Sequence, residues 1–252
     1  MAGVIGSMGF WMTIIVYMMS LVVLAQDGDH QFLLYDFKKA DLYCDGMANT
    51  SEGPLHLTNN TATSTGHAFH KIPLNFTASS PTSYSFSTEF VFAIIPLQSP
   101  PSNGQGMAFV VSPTIDLRYG GTATSNLGIF NTTNDNKTEN HILAIELDTN
   151  ESSEPLDHSD NHVGIDINSI VSVDSANVTY FDDTEGKNKT LQLASGKSII
   201  IWIDYDGTKK LLNVTLAPVP TPKPVSPQLS SSIKPRVPLL SRSVNLSEIF
   251  KE

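Results

Sequence analysis

Ile142-Leu-Ala-Ile-Glu146-Leu-Asp148-Thr-Asn150-Glu-Ser152-Ser-Glu-Pro-Leu-Asp157-His-Ser-Asp-Asn-His162-Val-Gly-Ile-Asp166-Ile-Asn-Ser169 is the stretch on which the reading of this chain turns. It leaves one apolar segment, residues 142–145, and enters another, residues 163–167. On a strand, Glu146 and Asp148 are two positions apart and project to the same side. Asp157 and His162 can return to that side after a loop. Three carboxylates and an imidazole converging there suit a Mn²⁺-like ion. Oxygen ligands alone, from Asp148, Asp157, a backbone carbonyl and a side-chain oxygen, suit Ca²⁺.

Outward from that stretch, helical periodicity is nearly absent. Ser85-Phe-Ser-Thr-Glu-Phe-Val-Phe-Ala-Ile94 alternates, placing Phe86, Thr88, Phe90 and Phe92 on one side. Met107 to Val111, Ile142 to Asp148, Val163 to Asn168 and Ala176 to Phe181 read as further short strands. Ile199 to Tyr205 and Lys210 to Leu216 flank Asp206-Gly207, a hairpin turn signal. Many short strands without helices predict a sandwich of antiparallel sheets. After Ala217 the texture changes. Pro218, Pro220, Pro222, Pro224, Pro227, Pro235 and Pro238 exclude a central strand, so residues 217–244 are expected to lie extended over the surface. Lys223-Pro224, Pro227 and Leu229-Ser230 recur as Lys234-Pro235, Pro238 and Leu240-Ser241, as a duplicated linker would.

The formal charge is −10, which argues against a nucleic-acid partner, since phosphate binding wants a basic face. Phe10 to Leu24 is almost continuously apolar and Val23-Leu-Ala25 closes it with a small-residue cleavage pattern. Residues 1–25 therefore read as a secretory signal, although no Lys or Arg precedes the apolar run. An uncleaved anchor is the other reading of that run. No second run of that length follows, so the mature chain, residues 26–252, is not expected to span a membrane. Cys44 is the only cysteine, which leaves no intramolecular disulfide to form. Asn49, Asn59, Asn75, Asn131, Asn136, Asn150, Asn177, Asn188, Asn213 and Asn245 each begin an N-glycosylation sequon. With the leader, they predict a secreted glycoprotein with an exposed, loop-rich surface.

Several readings compete for the central stretch. A solvated acidic loop would explain its composition alone. An EF-hand is excluded, because the required glycine is Ser153, the closing glutamate is Ser159, and the flanks are strands. Glu146-x-Asp148-x-x-Glu151 matches the carboxylate pattern of retaining β-glucanases, with Glu146 as nucleophile and Glu151 as general acid/base. That reading leaves Asp157, His162 and Asp166 without a role. The whole stretch, ungapped from Glu146 to His162, resembles the metal loop of legume (L-type) lectins. Gly66-His-Ala-Phe69, Ser85 to Phe90, Gly104 to Pro113, Leu127-Gly-Ile-Phe-Asn131 and Trp202-Ile-Asp-Tyr-Asp-Gly207 resemble the plant lectin receptor kinase branch of that family. Val214-Thr-Leu-Ala-Pro218 and Pro238-Leu-Leu-Ser241 extend the likeness almost to the end.

The resemblance implies an all-β, concanavalin-like jelly-roll sandwich of two antiparallel sheets over residues 26–252, incomplete at its C-terminal edge because family strands follow Phe250. It implies that Glu146, Asp148, Asp157 and His162 hold Mn²⁺, and that Asp148, the carbonyl of Asn150, the side chain of Ser152 and Asp157 hold Ca²⁺. It places carbohydrate contacts at Gln105, Gly121 (or Gly120) and Ser152. Two of these depart from the family. Gln105 stands where an aspartate grips the sugar, and a neutral amide accepts more weakly than a carboxylate. Ser152 stands where an asparagine bridges calcium and sugar. The implied function is non-catalytic glycan binding, secreted or at a plant cell surface or wall, with a role in sensing or defence and homodimerisation through a sheet edge. A non-carbohydrate ligand or decoy module on the same scaffold is the first alternative, and the glucanase the second. No phosphate-binding glycine loop or kinase catalytic loop occurs in the sequence.

Overall fold

The structure, a computed structural model, describes residues 37, 39–51, 53–59, 65–72, 74–75, 85–98, 101–102, 104–117, 126–150, 159–233 and 243–251. The strands are β1 (Leu42–Gly46), β2 (Thr65–His70), β3 (Leu74–Asn75), β4 (Phe86–Phe92), β5 (Leu97–Gln98), β6 (Pro101–Ser102), β7 (Gly106–Ser112) and β8 (Leu143–Asp148). They continue as β9 (His162–Ile167), β10 (Asp174–Asn177), β11 (Thr179–Asp182), β12 (Lys187–Thr190), β13 (Ile199–Asp206), β14 (Leu211–Pro218), β15 (Leu229–Ser232) and β16 (Ser243–Lys251). Helix is limited to single 3₁₀ turns at Asn126–Gly128, Thr138–Asn140 and Leu193–Ser195 among the described residues.

The larger sheet runs β1-β2-β16-β7-β8-β9-β10, with β3 paired to β16. The smaller runs β15-β14-β13-β4. Every pair in both is antiparallel, as the sequence predicts. The backbone of β16 lies between β2 and β7.

The first core lies between the sheets. Phe92 from β4 and Ile199, Ile201 and Ile203 from β13 meet Phe109 from β7 and Ile145 from β8. The alternation read for β4 holds: Phe86 and Phe90 pack on this core, with ring centroids 6.4 Å and 6.1 Å from Phe109, while Ser87, Glu89 and Val91 are exposed. A second core lies on the opposite face of the larger sheet. There Phe69, Ala108, Val110 and Ala144 meet Leu127 from the Asn126–Gly128 turn and Ile129 and Phe130 from the segment after it. Strands β7 and β8 are therefore buried on both faces, and β7 reads as an almost continuous apolar run, while β8 carries Glu146 and Asp148.

A buried pair anchors that second core. His67 and Asp45 face each other across β2 and β1, with Nδ1 hydrogen-bonded to the Asp45 carboxylate. His67 Nε2 donates to the Gly128 carbonyl at 3.2 Å, which ties the sheet to the 3₁₀ turn.

Two sequence expectations are corrected, and a third is refined. Ala176 to Phe181 is two strands, because Val178, 1% exposed, plugs the first core and breaks the run between β10 and β11. The Asp206 hairpin has a longer turn than Asp206-Gly207 alone: Asp206 pairs with Leu211, its carboxylate accepts from the Thr208 and Lys209 amides, and Lys210 takes φ 55°. Within the proline-rich segment, Leu229–Ser232 forms an edge strand on β14, since no proline falls inside those residues.

Candidate metal centre

Antiparallel pairing of β8 with β9 sets Asp148 opposite His162 and Glu146 opposite Gly164. The period of two then turns Glu146, Asp148 and His162 to one face, the face that carries the second core. One ligand atom from each of the three lies within 4.8 Å of the others. Glu146 and His162 are buried, at 4% and 3% exposure, so these charged groups need partners.

The partners are specific. His162 Nδ1 donates to the Ser159 carbonyl at 2.8 Å, and Nε2 faces Glu146 Oε1 at 3.2 Å. Burial works to lower the imidazole pKa, but the bonds to Glu146 and to the Ser159 carbonyl outweigh it and push it up to about 9. The bond to Glu146 thus favours the protonated ring. A backbone carbonyl on Nδ1 also leaves Nε2 as the nitrogen offered to an ion, the arrangement that orients a ligating histidine.

Gly164 makes room for this group. A Cβ there would stand 2.3 Å from Glu146 Oε1 and 2.2 Å from Ser172 Oγ. Ser172 Oγ lies 2.6 Å from Glu146 Oε1 and 2.7 Å from Asp166 Oδ1. Burial and the Glu146 charge hold the Asp166 carboxyl well above the usual carboxylate range. Its second oxygen, Oδ2, is buried without a hydrogen-bond partner. Asp166 extends the same-face row of Gly164 and His162 and was open to sequence reading by period alone. Ser172 arrives from a turn, and no sequence pattern announces it.

Two carboxylates and an imidazole nitrogen form a mixed N/O donor set that fits a Mn²⁺-like ion better than an all-oxygen cation. Of the oxygen set, Asp148 and Asn150 are described, and the Asn150 amide donates to Asp148 Oδ1 at 2.6 Å. Asp157 and Ser152 lie outside the described residues, as do Gly120, Gly121 and Glu151. Glu146 is sequestered by His162 and Ser172, which does not suit a nucleophile that must reach a sugar.

Gln105 is placed beside this group by the chain that leaves it. Thr149, immediately after Asp148, donates through its amide to the Gln105 carbonyl at 3.5 Å and through Oγ1 to the Gly104 carbonyl at 3.4 Å. Gly106, at φ 111°, admits the approach, since a Cβ there would lie 2.1 Å from the Leu147 carbonyl oxygen. Among the sequon asparagines, Asn49, Asn136, Asn177 and Asn188 are exposed, and Asn59, Asn131, Asn150 and Asn213 are half-buried. Asn75 and Asn245 fall on β3 and β16, where only the backbone is described.

A sandwich with a loop-covered second core and a Glu-x-Asp…His group on that face defines a lectin-type domain. Residues 29–252 match the sequence profile of the legume lectin domain, and the chain belongs to that family. In Arabidopsis thaliana, the protein described as "Probable L-type lectin-domain containing receptor kinase II.1" is 67% identical over 252 residues, all of this chain. "L-type lectin-domain containing receptor kinase I.3" of the same plant is 44% identical over 233 residues, 92% of the chain. The chain spans 37% and 33% of the lengths of those relatives. Among solved structures, the metal-free lectin I-B4 of Griffonia simplicifolia superposes with a TM-score of 0.61 at 26% identity, covering 86% of this chain and 88% of that one. The winged bean acidic lectin, solved with methyl-α-D-galactose, gives 0.60 at 27% identity, covering 84% of each. Among the described residues no helix is long and apolar enough to cross a membrane.

Proposed function

We propose that this chain is an extracellular carbohydrate-binding module at the plant cell surface or in the wall, acting by binding rather than catalysis. The observation that carries the proposal is the Thr149 link: the residue following a metal ligand holds the backbone on either side of Gln105. Glu146, Asp148 and His162, with Asp157, would hold Mn²⁺. Asp148, Asn150, Ser152 and Asp157 would hold Ca²⁺. The ions supply fixed positive charge that stiffens the loop, and Gln105, Gly121 and Ser152 then meet the glycan. Residues 1–25 act as the secretory leader and residues 26–252 as the lectin domain. The apolar run at residues 10–24 and the sequons support that route. The receptor-kinase names of the relatives support a place in sensing or defence.

Thermal unfolding of the secreted protein with Ca²⁺ plus Mn²⁺, against chelator, tests the metal site. An ion at a hundredfold its Kd stabilises the folded state by about 2.7 kcal/mol, roughly 5–10 °C in Tm at this size. A cooperative transition indifferent to metal would sink the metal proposal. Glycan-panel binding that disappears with chelator tests the ligand. A second reading, a non-carbohydrate ligand, is favoured by the neutral Gln105 in the loop. A metal-responsive protein that binds no glycan on the panel would select it. Sedimentation of the secreted protein would show whether it pairs into a homodimer.

A further inference from the structure

Sequons are written into the chain before it folds, but a glycan can stay only where the folded chain leaves room for it. Five sequons, those at Asn49, Asn136, Asn177, Asn188 and Asn213, are divided by the fold. Asn49, Asn136, Asn177 and Asn188 are exposed. Asn49 is held by its oxygen: Oδ1 accepts from the Ser51 amide and from Ser51 Oγ, at 3.3 and 2.9 Å. Asn177 is also held by its oxygen, which accepts from Ser159 Oγ at 2.6 Å. The glycosidic bond forms at Nδ2, so an Oδ1-anchored side chain keeps its anchor once glycosylated. Asn136 sits at φ 58° on a turn, a backbone state that asparagine tolerates. Asn188 lies on β12, paired with β11 alone in a two-stranded sheet.

Asn213 is different. It lies on β14 between β13 and β15, level with Asp204 on one side and Ser230 on the other. Neighbouring strands stand about 4.8 Å away on each side. Ser230 Oγ donates to Asn213 Oδ1 at 2.7 Å, and Lys223 reaches Asp204 from the proline-rich segment at 2.5 Å. That row is crowded, and the sequon hydroxyl, Thr215, is 3% exposed. A glycan on Asn213 Nδ2 would have to share this row with the Ser230 side chain and the Lys223–Asp204 pair.

We propose that the folded, secreted protein carries N-glycans on Asn49, Asn136, Asn177 and Asn188, and that Asn213 is bare. The placement has a use. Asn177 ends β10, the last strand of the larger sheet, opposite His162. A glycan there and another on β12 cover open strand edges, which otherwise invite pairing with a second chain.

The test is site-resolved glycopeptide mass spectrometry on the full chain secreted from plant cells, with ¹⁸O labelling during enzymatic deglycosylation. The four exposed sites should convert to labelled aspartate, and the Asn213 peptide should remain unlabelled asparagine. Occupied Asn213 in the folded pool, or bare sites at all four exposed positions, would overturn the proposal. Two variants guard against a folding artefact. Asn188→Gln should lose one glycan step in gel mobility with an unchanged Tm, whereas Asn213→Gln should leave mobility unaltered. A mobility loss in Asn213→Gln also overturns it. Glycan-panel binding is a separate readout, so failure here and failure of the lectin reading remain distinguishable.

Discussion

The two faces of the larger sheet are made by the same strands and do different work. On β8, Leu143, Ile145 and Leu147 face the smaller sheet and belong to the first core. Ala144, Glu146 and Asp148 face the other way, toward the second core and the metal group. One face meets a sheet, whose period matches its own. The other meets irregular chain around Leu127 to Phe130, held by single contacts such as His67 to the Gly128 carbonyl. Packing between the sheets and the candidate metal group thereby fall to alternate residues of β8.

Substitutions on each face can break that comparison. The largest effect is expected from Phe109→Ala, which removes a ring packed against Phe86 and Phe90. It should cost about 4 kcal/mol, or roughly 8–16 °C in Tm. The metal-induced rise in Tm should survive, and its loss would mean that the faces are coupled. Next comes His67→Leu, which strands the buried Asp45 carboxylate and frees the Gly128 carbonyl, at about 3 kcal/mol. Hydrogen exchange should quicken first at residues 126–130; uniform quickening over both sheets would contradict a locally anchored second core. Gly164→Ala pushes a methyl group into Glu146 and Ser172 and should cost about 1–3 kcal/mol. Its sharper signature is loss of the metal response, read by melting with and without Mn²⁺. The smallest effect belongs to Lys189→Ala on the exposed β11–β12 hairpin. Its bonds to Asp182 and Glu185 are solvent-screened, and Tm should not move measurably.

What the sequence showed follows the same division. The first-core face was legible, because Phe86, Thr88, Phe90 and Phe92 alternate with polar residues. Glu146 and Asp148 were legible as a pair by the same period, and His162 by its position at the start of the returning apolar run. Strands β1, β2 and β12 were not, since Leu42–Gly46, Thr65–His70 and Lys187–Thr190 lack an apolar alternation of their own. Short strands without a pattern of their own take their state from neighbours. The second core escaped for a different reason. Met107 to Val111 is apolar at every position, which reports burial without saying what covers each side. His67 with Asp45, Thr149 with Gln105, and Ser172 with Glu146 are contacts between distant segments and have no local signature.

The alternation on β8 also makes residue parity a working part of the site. Deleting one residue between Ala144 and Glu146 would leave composition and strand propensity almost intact. Yet it would exchange the two sides of the strand, aiming a carboxylate between the sheets and a branched aliphatic at the candidate metal group. The pairing of Asp148 with His162 carries the same constraint into β9. Lengths within these two strands are therefore fixed as firmly as the ligands themselves.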